Sequence, residues 1–301
     1  MRSLVVGGAG FIGSHLVERL LAEGHGVDVV DDLSTGSLAN LADARAVGGD
    51  LTIHTLDVCA GQFGALVARR SPDVIVHLGW WPPGIEDPRW AGAAVHSTLA
   101  VLEAARTLGS VKVVTTLPAA ALYGEVAARD QPVKEGQGWS PVGARGVVAR
   151  TVADLLAVYR ADHAVEFTAL ALTTVYGSRQ RVDGGVVARF AQAAREGSSP
   201  QIFGDGRQTR DFLYIDDAVD AIVRAGQRGS GLVVNIGTGV ATSIRDLWQL
   251  IGGPTAARPS AGPQRADDVN RFAVSPTRAR IHLSWSPWTD LSVGVNSLVG
   301  R

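Results

Sequence analysis

The sequence predicts an α/β fold, in which a doubly wound parallel sheet carries a smaller C-terminal lobe. Short apolar runs rich in Val, Ile and Leu alternate with amphipathic stretches through the first two thirds of the 301 residues. Such runs are typical of strands buried on both faces, and the amphipathic stretches are typical of the helices that connect them. Right-handed connections of this kind place helices on both faces of the sheet.

Strand-like and helix-like segments alternate regularly in this part of the chain. The predicted strands are SLVVGG, GVDVVDD, LTIHTLDV, DVIVHLG, VKVVTTL and FTALALTTVYG. The predicted helices between them cover 11–23, 61–70, 90–108 and 144–163.

The pattern changes after residue 178. A helix is predicted for GGVVARFAQAAREG, a strand for LVVNIGTG and a helix for SIRDLWQLIGG. Residues 254–275 are rich in Pro, Ala and Arg and predict extended surface segments. We therefore predict a first domain over 1–178 and a smaller lobe over 179–301, interleaved with the sheet.

Composition and charge favour a globular protein that binds a small molecule. Hydrophobic residues make up 46% of the chain, and the net charge is −1, so we expect neither nucleic acid nor an anionic membrane as the main partner. Cys59 is the only cysteine, which excludes an internal disulfide and a cysteine-ligated metal cluster, and no metal is expected. No apolar run approaches the roughly 18 residues of a membrane span, and a predicted strand begins almost at once, so we expect a cytoplasmic protein without a signal peptide.

A dinucleotide site is predicted where the first strand meets the first helix, which makes the fold Rossmann-like. Gly7, Gly10 and Gly13 form the pattern G-x-x-G-x-x-G, and Phe11 and Ile12 lie within it. A bound pyrophosphate needs a tight turn, close backbone approach and the N–H groups of a helix N-terminus, and this pattern provides all three. The glycine spacing alone would be weak evidence, because ordinary turns also collect glycine.

Acidic residues at the ends of the next strands favour NAD over NADP. Asp31 ends the second strand, 18 residues beyond the last of the three glycines, close to the interval of about 20 expected for a carboxylate on the adenosine ribose. This carboxylate would repel a 2′-phosphate, Asp32 adds a second negative charge, and neither Arg nor Lys occurs in 32–43. Asp57 ends the third strand and suits the edge of the adenine, but a solvated strand-end aspartate explains it equally well. The predicted cofactor set is completed by strand-end residues: Asp57, Val58 and Leu78.

Motifs that run nearly from end to end resemble one enzyme family. They are GGAGFIGSHLVERLL, VVDDLSTG, LDV, PDVIVHLG, VLEAAR, LYGE, VYGSRQ, FGDGRQTRDFLYIDDAVDAI, NIGTG and FAVSPTRARIHLSWSP. The chain is similar to the extended short-chain dehydrogenase/reductases of the NAD-dependent epimerase/dehydratase family, and its layout is close to that of UDP-glucose 4-epimerases. The resemblance implies a C-terminal lobe that binds a nucleotide sugar, and a homodimer formed through two helices per subunit.

The resemblance also implies two arginines that meet the nucleotide diphosphate. Arg210 in TRDF matches one, and Arg265 in QRADD resembles the other, although RADD departs from the usual Arg-x-Gly-Asp. A guanidinium suits phosphate because it donates two parallel hydrogen bonds. A surface arginine paired with Asp211 or Asp268 is the alternative.

Three other positions of the implied substrate site depart from the family. Thr174 stands where Asn is common. Trp80 and Trp81, in GWWPPG, replace small or polar residues. The two indoles either cover an aromatic or apolar substrate or pack beneath a loop stiffened by Pro82 and Pro83, and the sequence leaves both readings open.

The family's proton carriers are missing. The resemblance implies Tyr and Lys in Tyr-x-x-x-Lys and a Ser or Thr four residues before the Tyr of LYG, and these positions hold Val142, Gly146 and Ala119. None of these side chains can carry a proton, and losing one well-placed acid or base commonly costs about 10²–10⁴ in rate. Arg145 adjoins the lost lysine, but consecutive helical residues point about 100° apart.

Two hypotheses follow. The first is an enzyme with a rebuilt active site, acting on a nucleotide sugar or a related metabolite. Its candidate groups are Tyr123 and Tyr176, phenols expected to face the cleft, together with Thr116 and His96. The second is an eroded, non-catalytic protein that binds NAD or a nucleotide sugar as a sensor or as the partner of an active homologue. We favour the enzyme, because a pure scaffold would not need a complete cofactor turn.

Overall fold

The computed structural model describes residues 1–81, 87–254, 257–264 and 269–300. Its strands are β1 (Arg2–Val6), β2 (Gly26–Asp31), β3 (Leu51–Thr55), β4 (Val74–His77), β5 (Lys112–Pro118), β6 (Phe167–Leu172), β7 (Thr174–Tyr176), β8 (Gln201–Phe203), β9 (Thr209–Arg210), β10 (Phe212–Tyr214), β11 (Leu232–Ile236), β12 (Thr242–Ser243) and β13 (Ser260–Gly262). Its α-helices are α1 (Phe11–Ala22), α2 (Ala42–Val47), α3 (Gln62–Arg70), α4 (Trp90–Leu108), α5 (Ala119–Tyr123), α6 (Gly143–His163), α7 (Val186–Glu196), α8 (Ile215–Gln227), α9 (Ile244–Gly252), α10 (Thr277–Leu283) and α11 (Leu291–Val299). Short 3₁₀ turns cover Leu38–Leu41, Ala128–Asp130 and Val182–Gly184.

Seven strands form one parallel sheet in the order β11-β6-β5-β4-β1-β2-β3. The order reverses direction between β1 and β4, which is the crevice where open α/β sheets bind their ligands. The predicted doubly wound, Rossmann-like α/β fold is therefore confirmed.

Two apolar layers cover the two faces of this sheet, because side chains alternate along each strand. In β1, Leu4 and Val6 belong to the core that includes α3, α4 and α6, whereas Val5 belongs to the core that includes α1, α8 and α10. Both faces are therefore apolar, which explains why the strands appear in the sequence as continuous Val- and Ile-rich runs.

The chain leaves the main sheet at Thr173. The segment FTALALTTVYG, predicted as a single strand, forms two: β6 pairs with β5 and β11, whereas β7 pairs with β10 in a separate two-stranded sheet. The single-strand prediction is wrong because the backbone changes partners after Leu172.

The C-terminal part builds a further apolar cluster from α7, α9 and α11. It also returns to the main sheet, since β11 pairs with β6 and α8 packs against α1. The boundary at residue 178 stays a prediction. Within the part of the chain that the structure describes, no helix is both long and apolar enough to cross a membrane.

Candidate functional site

A cleft with a volume of 770 Å³ lies at the carboxyl ends of the central strands. The predicted cofactor residues all line it: Gly7, Gly10, Phe11, Ile12, Gly13, Asp31, Asp32, Asp57, Val58 and Leu78. The fold brings them together because β1 to β4 are parallel neighbours and end at the same edge of the sheet. Their contact with a bound cofactor stays a prediction.

The glycine turn meets the steric needs of a dinucleotide site. Gly7 has a φ of +80°, and a Cβ on it would lie 2.9 Å from the backbone nitrogen of Gly79. A Cβ on Gly13 would lie 2.1 Å from the carbonyl oxygen of Gly7, so α1 can approach β1 only with glycine here. A Cβ on Gly10 would meet only this carbonyl, at 3.2 Å, which leaves the space above α1 open for a pyrophosphate.

Asp31 stands at the end of β2 with both carboxylate oxygens directed by backbone groups. Oδ2 accepts a hydrogen bond from the N–H of Ala9 at 2.8 Å, and Oδ1 accepts one from the N–H of Leu33 at 2.9 Å. Burial raises the pKa of Asp31, although these two hydrogen bonds oppose the shift. Each oxygen keeps lone pairs for the hydroxyls of a ribose, so the residues present fit NAD.

The two other cleft-lining aspartates, Asp32 and Asp57, accept hydrogen bonds within local turns. Oδ1 of Asp32 accepts hydrogen bonds from the backbone N–H and the hydroxyl of Ser34, at 2.9 and 2.6 Å. Oδ1 of Asp57 accepts the N–H of Cys59 at 2.8 Å. Asp57 therefore has a structural role whether or not it also meets an adenine, and both readings of it remain.

Several arginines also line the cleft. Arg210 and Thr174 line it, whereas Arg265 lies outside the described residues. That Arg210 and Thr174 contact a substrate stays a prediction. Nη1 of Arg210 donates to the carbonyl of Thr209 at 2.7 Å and to that of Val269 at 2.5 Å. The sequence reasoning did not name two further arginines of this lining, although both stand in the VYGSRQR segment: Arg179 and Arg181.

Trp80 and Trp81 line the cleft and also pack into the core between α3, α4 and α6. They are only 5% and 6% exposed. The indole Nε1 of Trp80 donates to the carbonyl of Thr116 at 2.8 Å, and the two ring systems meet edge to face with centroids 6.4 Å apart. Most of each indole is thus committed to packing, and Pro82 and Pro83 lie outside the described residues.

The family model for the NAD dependent epimerase/dehydratase family matches residues 3–237. The chain belongs to this family. NAD is the family's cofactor, so the predicted cofactor is confirmed, and so is the predicted resemblance. The family comprises NAD-dependent epimerases and dehydratases of nucleotide sugars.

Relatives of this family match the chain over nearly its whole length. A UDP-glucose 4-epimerase of Mycolicibacterium smegmatis is 41% identical over 99% of this chain and 97% of its own length. The structure of UDP-glucose 4-epimerase with UDP-glucose from Thermotoga maritima has a TM-score of 0.93 at 31% identity, covering 100% of this chain and 98% of that one. The Thermus thermophilus UDP-glucose 4-epimerase in complex with NAD has a TM-score of 0.90 at 28% identity, with the same coverage.

The three positions to which the resemblance assigns the family's proton carriers lie near the starts of α5 and α6. Ala119 and Val142 line the cleft, whereas Gly146 does not. The N–H of Val142 donates to the carbonyl of Ala121 at 2.8 Å, and a Cβ on Gly146 would lie 2.2 Å from that same carbonyl oxygen. The backbone of α6 therefore lies directly against α5, and the contact occupies the space in which a lysine side chain would start.

Arg145 lines the cleft beside this contact. The sequence reasoning set Arg145 aside because neighbouring helical side chains point about 100° apart, but the structure places it in the cleft lining together with Val142 and Gly143. Arg145 thus brings a fixed positive charge near the position of the lost lysine, but a guanidinium does not release its proton.

The expectation that two phenols face the cleft is wrong. Tyr123 is 1% exposed, and its hydroxyl donates to Oδ1 of Asn235 at 2.9 Å, on the side of α5 that packs toward β11. Burial raises the pKa of Tyr123 to about 12. Tyr176 is buried in the C-terminal cluster, edge to face with Tyr214, and burial also raises its pKa. Neither tyrosine lines the cleft.

The remaining two candidates differ in position. His96 is exposed on α4 and does not line the cleft, because its face of the helix points away from the sheet. Thr116 does line the cleft. A threonine hydroxyl can donate or accept a hydrogen bond but is too weak an acid to exchange protons near neutral pH.

Proposed function

We propose that this chain binds NAD and a nucleotide diphosphate sugar but does not perform the family's proton-coupled hydride transfer, as a sensor or as the partner of an active homologue. The observation that carries this proposal is the set of titratable groups in the cleft. Among the described lining residues they are Asp31, Asp32, Asp57, Cys59 and the arginines 145, 179, 181 and 210, with no Tyr, Lys, His or Glu. Burial raises the pKa of the Cys59 thiol to about 11, so it stays protonated near neutral pH.

The distribution of charge supports two ligands of different character. The three aspartates stand at or just after the ends of β2 and β3, near the glycine turn, where the hydroxyls of a bound ribose would donate hydrogen bonds to them. Arg210 comes from β9 in the C-terminal part of the chain and lines the same cleft, where a diphosphate would offer acceptors for the two parallel hydrogen bonds of a guanidinium. This arrangement matches a dinucleotide beside a nucleotide sugar, the ligand class bound in neighbouring structures with UDP-glucose and UDP-glucuronic acid.

The second candidate is the enzyme with a rebuilt active site. Arg145 favours it, because a cation in the cleft beside Val142 keeps part of the electrostatic environment that the lost lysine would have supplied. Turnover would then need an acid or base outside the described lining residues, since neither tyrosine reaches the cleft.

The two candidates are separated by measuring binding and turnover on the same sample. Calorimetric titration of the native chain with NAD, then with UDP-glucose and UDP-glucuronic acid, tests binding. NADH absorbance and proton NMR of the sugar then test oxidation and epimerisation over hours. We expect saturable binding without turnover. Interconversion of either sugar would refute the non-catalytic proposal and favour the rebuilt enzyme, and failure to bind NAD would refute both.

Arg210 gives the substrate half of this test a specific variant. Arg210→Gln removes a cleft guanidinium, so we expect nucleotide-sugar affinity to fall about tenfold or more, as for the loss of a charge-assisted pair of hydrogen bonds. NAD affinity should not change. Arg207→Gln is the matched control, because Arg207 is exposed, pairs with Asp205 and does not line the cleft. Equal losses in both variants would contradict a phosphate-binding role.

A homodimer through α4 and α6 belongs to the same proposal. These helices pack side by side on one face of the sheet. Val147 and Val158, three turns apart on α6, are 57% and 50% exposed. Because each valine is already about half buried, covering the rest of it would contribute about 1 kcal/mol. Light scattering should give twice the chain mass for the native protein and a reduced mass for Val158→Glu, and a native monomer would refute the dimer.

A further inference from the structure

Arg179 joins three separate parts of the chain. It follows β7, and its guanidinium Nη2 lies 2.5 Å from Oε2 of Glu18 in α1 and 2.5 Å from Oδ2 of Asp43 in α2. The side chain is only 16% exposed. Its backbone has a φ of +62°, in the left-handed region that non-glycine residues seldom occupy. Such strained positions persist where the surrounding contacts hold them, and they are common at ligand clamps.

These three parts surround the cofactor half of the cleft. Helix α1 begins at the glycine turn, α2 follows the loop after Asp31, and Arg179 itself lines the cleft. A second contact also joins the segment after β7 to α1, since Nε2–H of His15 donates to the carbonyl of Ser178 at 3.0 Å. One guanidinium therefore ties the segment after β7 to two helices of the nucleotide-binding region.

The contacts of Arg179 tie protein segments together, an arrangement that we call a clip, and they do not indicate a contact with a ligand. Nη1 of Arg179 is buried and has no hydrogen-bond partner among the described residues, so it is not open to a ligand in the cleft. The nearby carboxylates of Glu18 and Asp43 give the cluster a net negative charge, which does not attract the phosphates of a dinucleotide. What Arg179 can do is hold the segments together.

We propose that Arg179 is a positioning residue that holds the cleft closed and thereby sets how fast NAD enters and leaves. This inference rests on the proposed binding of NAD. Glu18 and Asp43 do not line the cleft, so the ion pairs stabilise the closed state to the same extent with and without the cofactor. Weakening them makes opening more frequent in both states, which speeds entry and release together and leaves the equilibrium affinity unchanged.

Stopped-flow fluorescence with NADH measures both rates, since energy transfer from the cleft tryptophans to NADH reports binding. For Arg179→Gln we expect association and release to rise by a similar factor, about three- to tenfold, as for the loss of two partly exposed ion pairs. Kd should stay within about twofold of native. The double variant Glu18→Gln, Asp43→Asn removes the other side of the same pairs and should show the same two increases.

Arg181→Gln is the matched control. Arg181 lies two residues further on, lines the same cleft and also pairs with a carboxylate, but its partner Asp183 is local and exposed, at 2.8 Å. Its substitution should leave both NADH rates unchanged. Arg179→Lys keeps the charge and should restore rates toward native.

Two results would contradict the role of Arg179, and a third would contradict the proposed binding of NAD. A weaker Kd with unchanged association for Arg179→Gln would make Arg179 a direct ligand contact and overturn the clip. Native rates in Arg179→Gln or in the double variant, at unchanged thermal stability, would also overturn it. Absence of NADH binding by the native chain would instead overturn the proposed function, and the clip with it.

Discussion

Replacing Gly146 with alanine would place a Cβ atom 2.2 Å from the carbonyl oxygen of Ala121 and 3.0 Å from its carbonyl carbon. The obstacle is backbone, and the N–H of Val142 donates to the same oxygen at 2.8 Å, so neither chain segment can move alone. An ordinary contact at this position requires α6 to retreat from α5 by about 1 Å. The prediction is that this retreat destabilises the folded protein.

Two opposing contributions set the size of the effect. Overpacking a well-packed interior costs about 1–3 kcal/mol, and the fixed backbone obstacle places Gly146→Ala in the upper part of that range. Alanine in place of glycine within a helix returns up to about 1 kcal/mol. We therefore expect a net loss of about 1–2 kcal/mol in the free energy of unfolding, which corresponds to a fall of about 2–5 °C in Tm.

Gly64→Ala is the control for this measurement. Gly64 lies in α3, and a Cβ on it would meet nothing within 4 Å, so only the helix preference acts and the variant should gain up to about 1 kcal/mol. Urea denaturation of both variants beside the native chain gives the comparison. If Gly146→Ala is stabilised as much as Gly64→Ala, the close approach of α6 to α5 is refuted.

The same contact decides whether the family's active site can be restored. Ala119→Ser, Val142→Tyr and Gly146→Lys together reinstate the missing side chains, but the lysine begins with the Cβ that Ala121 obstructs. We expect this triple variant to lose stability and to show no epimerisation of UDP-glucose by NMR. Gain of epimerase activity would show that α6 can withdraw and that the losses were side-chain changes alone.

Three further outcomes follow from the site. Tyr123→Phe should cost about 1–3 kcal/mol in urea denaturation, because it leaves the buried amide oxygen of Asn235 without its donor, yet it should not change calorimetric NAD affinity; a lost NAD site would contradict this structural role. Burial raises the pKa of Asp31, so its carboxylate takes up a proton at a higher pH than an ordinary aspartate. NAD affinity should therefore fall on acidification through that range, and a profile unaltered by Asp31→Asn would exclude Asp31 as the titrating group. Gly13→Ala should abolish NAD binding in equilibrium dialysis, because its Cβ would lie 2.1 Å from the carbonyl of Gly7, and native affinity would refute the assigned turn.

The sequence by itself predicted the sheet and the cofactor, both of which are confirmed, and its resemblance to the family implied that the usual proton carriers are replaced. Each depends on short-range pattern: Val-rich runs make strands buried on both faces, and glycines at fixed spacing make the turn between β1 and α1. Asp31 could be located because the end of a parallel strand fixes which edge of the sheet its last residue reaches. Alignment with the family's motif was enough to point to the replacements at Val142, Gly146 and Ala119.

Only the tertiary structure decided which way the neighbouring side chains face and how closely the helices approach. Tyr123 looked like a cleft residue from its place after β5, but α5 turns its hydroxyl toward Asn235, 112 positions further along the chain. The contact of Gly146 with Ala121 and the clip at Arg179 likewise join segments that no local pattern relates. Side-chain direction and helix separation are set by packing between distant segments, and a sequence motif carries no information on that distance.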